Sequence, residues 1–215
     1  QSSDGTIWIG TVTKLTQLTN FDEKGKPIFR ILDSENGFND SAVNDVLEDR
    51  DGNIWMAATN GIQKLSKQGF TQYGVIDGLS STTNISSILQ TTNSELIVTD
   101  HPNERNISVF RNGKFTAIKP NYPNEIDYWG WGGKHTVLQT RDGEWWVTTG
   151  SSQEFQKKYG LKANNAPILI RFPKVENIED LANVSPKKIY HTSDAPNLRE
   201  TFQIYEDRNR DIWMM

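Results

Sequence analysis

Cysteine is absent from the 215 residues, which excludes disulfide staples, thiolate nucleophiles and cysteine-held zinc or iron–sulfur centres. No apolar run approaches the roughly 18 residues that a membrane-spanning helix needs. The opening Gln1-Ser2-Ser3-Asp4 lacks the basic-then-apolar profile of a secretory leader. Basic clusters are missing too: 23 Lys and Arg face 27 Asp and Glu for a formal net charge of −4, and no nucleic-acid partner is expected. The three histidines, at 101, 135 and 191, show no metal-ligand spacing, so neither a metal nor a cofactor is expected. Neither a G-x-S-x-G elbow nor a phosphate-binding Gly-rich loop occurs. No segment carries an apolar stripe at helical spacing over three turns; Glu176–Leu181 is the one short helical candidate. Hydrophobic residues make up only 35%, but 7 Trp, 6 Tyr and 9 Phe supply rings that a disordered chain would not carry.

What the chain has in quantity is itself. Asp4-Gly5-Thr6-Ile7-Trp8 returns as Asp51-Gly52-Asn53-Ile54-Trp55, as Asp142-Gly143-Glu144-Trp145-Trp146 and as Asn209-Arg210-Asp211-Ile212-Trp213, with a faded copy at Asn93-Ser94-Glu95-Leu96-Ile97. The marker positions 8, 55, 97, 146 and 213 are spaced by 47, 42, 49 and 67 residues. A period of roughly 40–50 residues is that of propeller blades. The long last interval predicts an insertion around Ser151–Ala166. Within one unit, Val43–Asp49, Ile54–Ala58, Ile62–Leu65 and Phe70–Tyr73 read as short strands. Asp51-Gly52 between the first two predicts a type I′ hairpin turn. The expected fold is all-β: a β-propeller fragment of about four to five blades, each a four-stranded antiparallel meander. The expected units are residues 1–35, 36–80, 81–121, 122–196 and 197–215, the first and last incomplete. Trp8, Trp55, Trp146 and Trp213 are expected to pack between adjacent blades, and the Asp-Gly pairs to be turn chemistry.

The stretch from Asn36 to Met56, followed by Thr59-Asn60-Gly61-Ile62-Gln63-Lys64-Leu65, resembles the two-component regulator propeller repeat, with a further Asp77-Gly78-Leu79 turn downstream. Such repeats typically form periplasmic sensor halves of membrane histidine kinases, and many respond to polysaccharide fragments. The resemblance therefore implies a non-catalytic, periplasmic or extracellular sensor. Its implied partners are an oligo- or polysaccharide ligand, the remainder of its own propeller, a membrane kinase module and a second copy of the chain. The alternative class is a propeller enzyme, either a lyase resembling the streptogramin lyases or a sialidase-like hydrolase.

One loop fits no strand pattern. Asp127-Tyr128-Trp129-Gly130-Trp131-Gly132-Gly133-Lys134-His135 sets two indoles and a phenol among glycines. Aromatic faces stack on the C–H faces of sugar rings, while carboxylate, ammonium and imidazole bond hydroxyls. Asp127, Tyr128, Trp129, Trp131, Lys134 and His135 are the expected ligand-binding residues. No catalytic residue is assigned.

Overall fold

Each repeat begins with a turn that makes its own hydrogen bonds. In the second copy the Asp49 N–H bonds the carbonyl of Asn53 (2.9 Å) and the Gly52 N–H bonds the carbonyl of Asp49 (3.0 Å). The same Asp49 carboxylate accepts from the N–H groups of Asp51 and Asn53. Gly52 alone in this turn has positive φ, at 76°. This is a three-residue loop, a type I turn closed by a left-handed residue, in place of the expected two-residue type I′ turn. The Asp49 side chain selects it, because a carboxylate bonding main-chain groups two residues on holds the chain in the right-handed region there. The left-handed position recurs in all five copies as Gly5, Gly52, Ser94, Gly143 and Arg210, so the faded third and fifth units keep the register.

The structure, a computed structural model, describes residues 1–39, 41–79, 85–100, 106–124, 136–149, 156–158, 160, 162, 165–195 and 203–215. The strands are β1 (Ile7–Gly10), β2 (Leu15–Phe21), β3 (Pro27–Leu32), β4 (Val43–Glu48), β5 (Ile54–Ala58), β6 (Gly61–Ser66), β7 (Gly69–Tyr73), β8 (Ile85–Gln90) and β9 (Leu96–Asp100). They continue as β10 (Ile107–Arg111), β11 (Lys114–Ile118), β12 (Val137–Gln139), β13 (Trp145–Thr148), β14 (Pro167–Phe172), β15 (Lys188–His191), β16 (Ile204–Glu206) and β17 (Ile212–Met214). All pair antiparallel with their sequence neighbours, as sheets β1–β3, β4–β7, β8–β11, β12–β15 and β16–β17. The first strands of successive sheets approach one another, β4 beside β8 and β12 beside β16, as innermost strands do around a propeller axis. The chain is a β-propeller fragment.

Four apolar cores lie between consecutive sheets. Trp55 is 2% exposed, stacks on Tyr73 at 5.6 Å and meets Phe110 of the next sheet edge-on at 5.2 Å. Ile97, in the Trp position of the third copy, is equally buried. Trp8 and Trp146 are half-buried against the following sheets. Trp213 departs from expectation. It is 58% exposed, because Ile212 and Met214 take the face toward the fourth sheet and no described residue covers the other.

The long fourth unit holds two insertions where one was expected. Besides the residues between β13 and β14, the connection from Phe172 to Lys188 carries a 3₁₀ turn, Ile178–Ala182, at the expected helical candidate. Ile178 and Leu181 anchor it in the core between the third and fourth sheets, so this insertion is packed structure.

Candidate functional site

The two ends of the sheets differ chemically. At one end lie the repeat turns, whose acids are tied into the fold. The indole N–H of Trp55 donates to Asp49 at 2.7 Å, that of Trp213 to Asp207 at 2.9 Å, and that of Trp8 to Ser2 at 2.8 Å. In each case the acceptor stands six residues before the ring. Burial of Asp49 opposes its ionisation, but bonds from Trp55, Asn53 and Asp51 outweigh that and hold its carboxyl below the usual range. Asp207 is held low in the same way, first by Trp213. Trp146 lacks this partner: Thr140 stands in the acceptor's place and its hydroxyl bonds Glu144 instead, leaving the buried indole nitrogen without a hydrogen bond.

In three copies the residue just before this position, a carboxylate or amide, latches the preceding sheet. Glu48 accepts the Ser3 N–H at 2.6 Å, Gln139 accepts the Thr92 N–H at 2.8 Å and Glu206 accepts the Arg141 N–H at 2.8 Å. Glu144 feels a desolvation that raises its carboxyl, but bonds from Lys187 and Arg171 prevail and lower it. Among the described residues no cluster of three His, Cys, Asp or Glu could hold a metal ion.

At the other end the first strands begin and hydroxyls gather. The Ser86 and Thr99 hydroxyls lie 3.0 Å apart, and Thr99 lies 3.4 Å from Thr136. The buried Thr148 hydroxyl has no hydrogen bond. Alongside, Asn44 donates to the Ile85 carbonyl at 2.6 Å, and the buried Asp45 accepts the Ile88 N–H at 3.0 Å. The hydroxyls form a polar floor, and beside it the Asp45 carboxylate bridges two sheets. Thr136 is also where the aromatic loop ends. The expected ligand residues Asp127, Tyr128, Trp129, Trp131, Lys134 and His135 lie outside the described residues, as does His101. The hydroxyl floor was not read from the sequence. Its signal is the Ile85-Ser86-Ser87-Ile88 pattern, in which small polar residues interrupt an innermost strand.

Residues 37–60 match the sequence model of the family described as two component regulator propeller, on the stretch whose resemblance the sequence carries. The chain bears a two component regulator propeller repeat. No curated protein matches the chain. Among solved structures, a streptogramin B lyase is similar over 100% of this chain and 60% of its own, at 18% identity and a TM-score of 0.61. The extracellular domain of BT3049, described as a hybrid two component system of B. thetaiotaomicron, is similar over 99% of this chain and 25% of its own, at 15% identity and a TM-score of 0.61. PorZ of Porphyromonas gingivalis, described as a surface component of the type-IX secretion system, is similar over 97% of this chain and 29% of its own, at 12% identity and a TM-score of 0.58. At these identities the likeness is one of fold. The chain spans less than two thirds of each of these structures. In the repeat, the acid pair Glu48-Asp49 and Trp55 have structural duties.

Proposed function

We propose that the chain is part of an extracytoplasmic ligand-sensing propeller of a two-component signalling protein, non-catalytic in itself, which relays binding to a histidine kinase. The observation that carries this reading is the repeat at residues 37–60 set in a propeller. The likeness to the extracellular domain of a hybrid two component system supports it. No helix among the described residues is long and apolar enough to cross a membrane. Asp127, Tyr128, Trp129, Trp131, Lys134 and His135 are the proposed contacts to an oligo- or polysaccharide. Ligand binding shifts blade or dimer packing by its differential affinity for two arrangements. The first sheet presents Ile7, Ile9, Phe29 and Ile31 outward and the last presents Tyr205, Trp213 and Met215. Further blades of the same propeller are the proposed cover for both faces.

The test is a thermal-shift panel of oligosaccharides with product analysis. A ligand at 100 times its Kd stabilises by about 2.7 kcal/mol, and the shift is expected to vanish in Trp129→Ala and Trp131→Ala with the saccharide intact. The second reading, a propeller lyase, rests on the likeness to streptogramin B lyase, and turnover of a panel compound would favour it. A panel without any shift would overturn the saccharide assignment.

A further inference from the structure

The spaces between sheets are built on one plan, and one of them is not filled. Between the second and third sheets, the cross-strand row Trp55–Lys64–Thr71 faces the row Leu96–Phe110–Phe115. Tyr73 closes that space, stacked on Trp55 and edge-on to both phenylalanines. Between the first and second sheets, the corresponding row is Trp8–Gln17–Arg30, facing Ile54–Leu65–Phe70. Leu65 stands where the third sheet has Phe110, and Leu32 stands where the second has Tyr73. Two rings are thereby replaced by smaller side chains, and a cleft of about 430 Å³ opens between the rows.

The cleft walls are chemically unlike. One is apolar, formed by Leu65, Phe70 and Ile54. The other carries the Trp8 ring, the Gln17 amide and the Arg30 guanidinium, and Lys67 stands at the mouth. Elsewhere the comparable cations are occupied. Arg171 is bonded to Glu144 and lies over Trp146, Arg111 is paired with Glu95, and Lys64 lies over Trp55 at 5.0 Å. The turn position that supplies Glu95 and Glu144 is Thr6 in the first copy. Among the described residues, no carboxylate lines the cleft, and neither Arg30 nor Lys67 has a side-chain hydrogen bond or ion pair.

We propose that this inter-blade cleft is a binding site for a small organic carboxylate with an apolar body. The body lies against Leu65 and Phe70, and the carboxylate meets Arg30 and Lys67, with Gln17 as a further donor. Arginine suits the role because its planar fork matches a carboxylate bidentately. The volume falls in the range of roughly 300–1,000 Å³ typical of small-ligand sites. This proposal does not depend on the sensor reading.

The probe is phenylacetate, titrated calorimetrically into the full chain, with the neutral phenylacetamide and sodium sulfate as comparisons. Saturable binding of phenylacetate is expected, weakened about tenfold in Arg30→Gln, where the charged contact is lost; Lys67→Gln is expected to weaken it less. Leu65→Phe, which copies the third sheet, is expected to abolish binding while keeping or raising the melting temperature. That separates filling of the site from unfolding. No saturable binding at millimolar phenylacetate, equal binding in Arg30→Gln and Lys67→Gln, or equal affinity for sulfate or the amide would each overturn the proposal.

Discussion

An indole in a blade core brings an N–H that is costly to leave unpaired away from water, and in three copies this chain supplies the acceptor six residues earlier. Asp49→Ala removes that acceptor for Trp55 together with the bonds from Asn53 and Asp51. It is expected to cost about 2–3 kcal/mol, given the usual penalty for a buried unsatisfied donor with further bonds lost, read from urea unfolding. The folded-state carboxyls of Asp49, Asp207 and Glu144 are depressed. Their stabilisation is therefore fully present above the unfolded carboxyl range of about pH 4 and is lost as pH falls through the lower folded values. Melting temperatures measured downward from pH 5 should fall most steeply below about pH 4, and Asp49→Asn should flatten that limb. Ser94 occupies the left-handed position at φ 72° that glycine fills in three other copies. Ser94→Gly is expected to raise stability by up to about 1 kcal/mol, because glycine enters that region without the steric cost other residues meet. The Trp marker and the Asp-Gly pair were legible as turn and core; the bond between acceptor and ring was not. Its signal is a spacing of six, which is neither a helical nor a strand period and becomes visible only when the copies are superposed.

At the scale of the element, strand order and pairing followed directly from the repeat, since each short alternating run meets its neighbour through a turn. The turn type did not follow, because Asp49 bonds to the main chain and so biases the loop away from the conformer that Asp-Gly alone favours. The second insertion was legible only as the short helical candidate at Glu176–Leu181, not as an insertion. Ile178 and Leu181 belong to a single packed 3₁₀ turn, too short to show an apolar period. The Asp77-Gly78-Leu79 element shows what the motif glycine does. Gly78 has φ 94° and a Cβ there would stand 2.1 Å from the Phe115 carbonyl oxygen, while Leu79 plugs the core between the second and third sheets. Gly78→Ala combines a strained φ with a main-chain clash and is expected to cost at least about 2 kcal/mol; hydrogen exchange should show the loss centred on β7 and β11. The hydroxyl floor was not legible in the sequence, and the aromatic loop lies outside the described residues. The small polar residues of Ile85-Ser86-Ser87-Ile88 mark an innermost strand, but only the approach of two sheets brings Thr99 and Thr136 together.

For the whole molecule, each sheet packs chiefly on its neighbours, so stability is close to a sum of sheet and interface contributions. The two terminal faces are the weak members of that sum. With Ile7, Ile9, Phe29 and Ile31 on one and Tyr205, Trp213 and Met215 on the other, the chain is expected to associate with itself as its concentration rises. Sedimentation velocity should show this, and the double substitution Ile9→Ser and Ile31→Ser should reduce it without shifting the acid limb. The latches at Glu48, Gln139 and Glu206 have a consequence for ancestry. Each grips a main-chain N–H of the preceding sheet, a group every residue except proline possesses, so the joint is indifferent to which side chain stands opposite. A duplicated unit can then be inserted beside any other and drift in sequence without losing its attachment. Such a joint lets a propeller lengthen by gene duplication and keep its seams while the copies diverge.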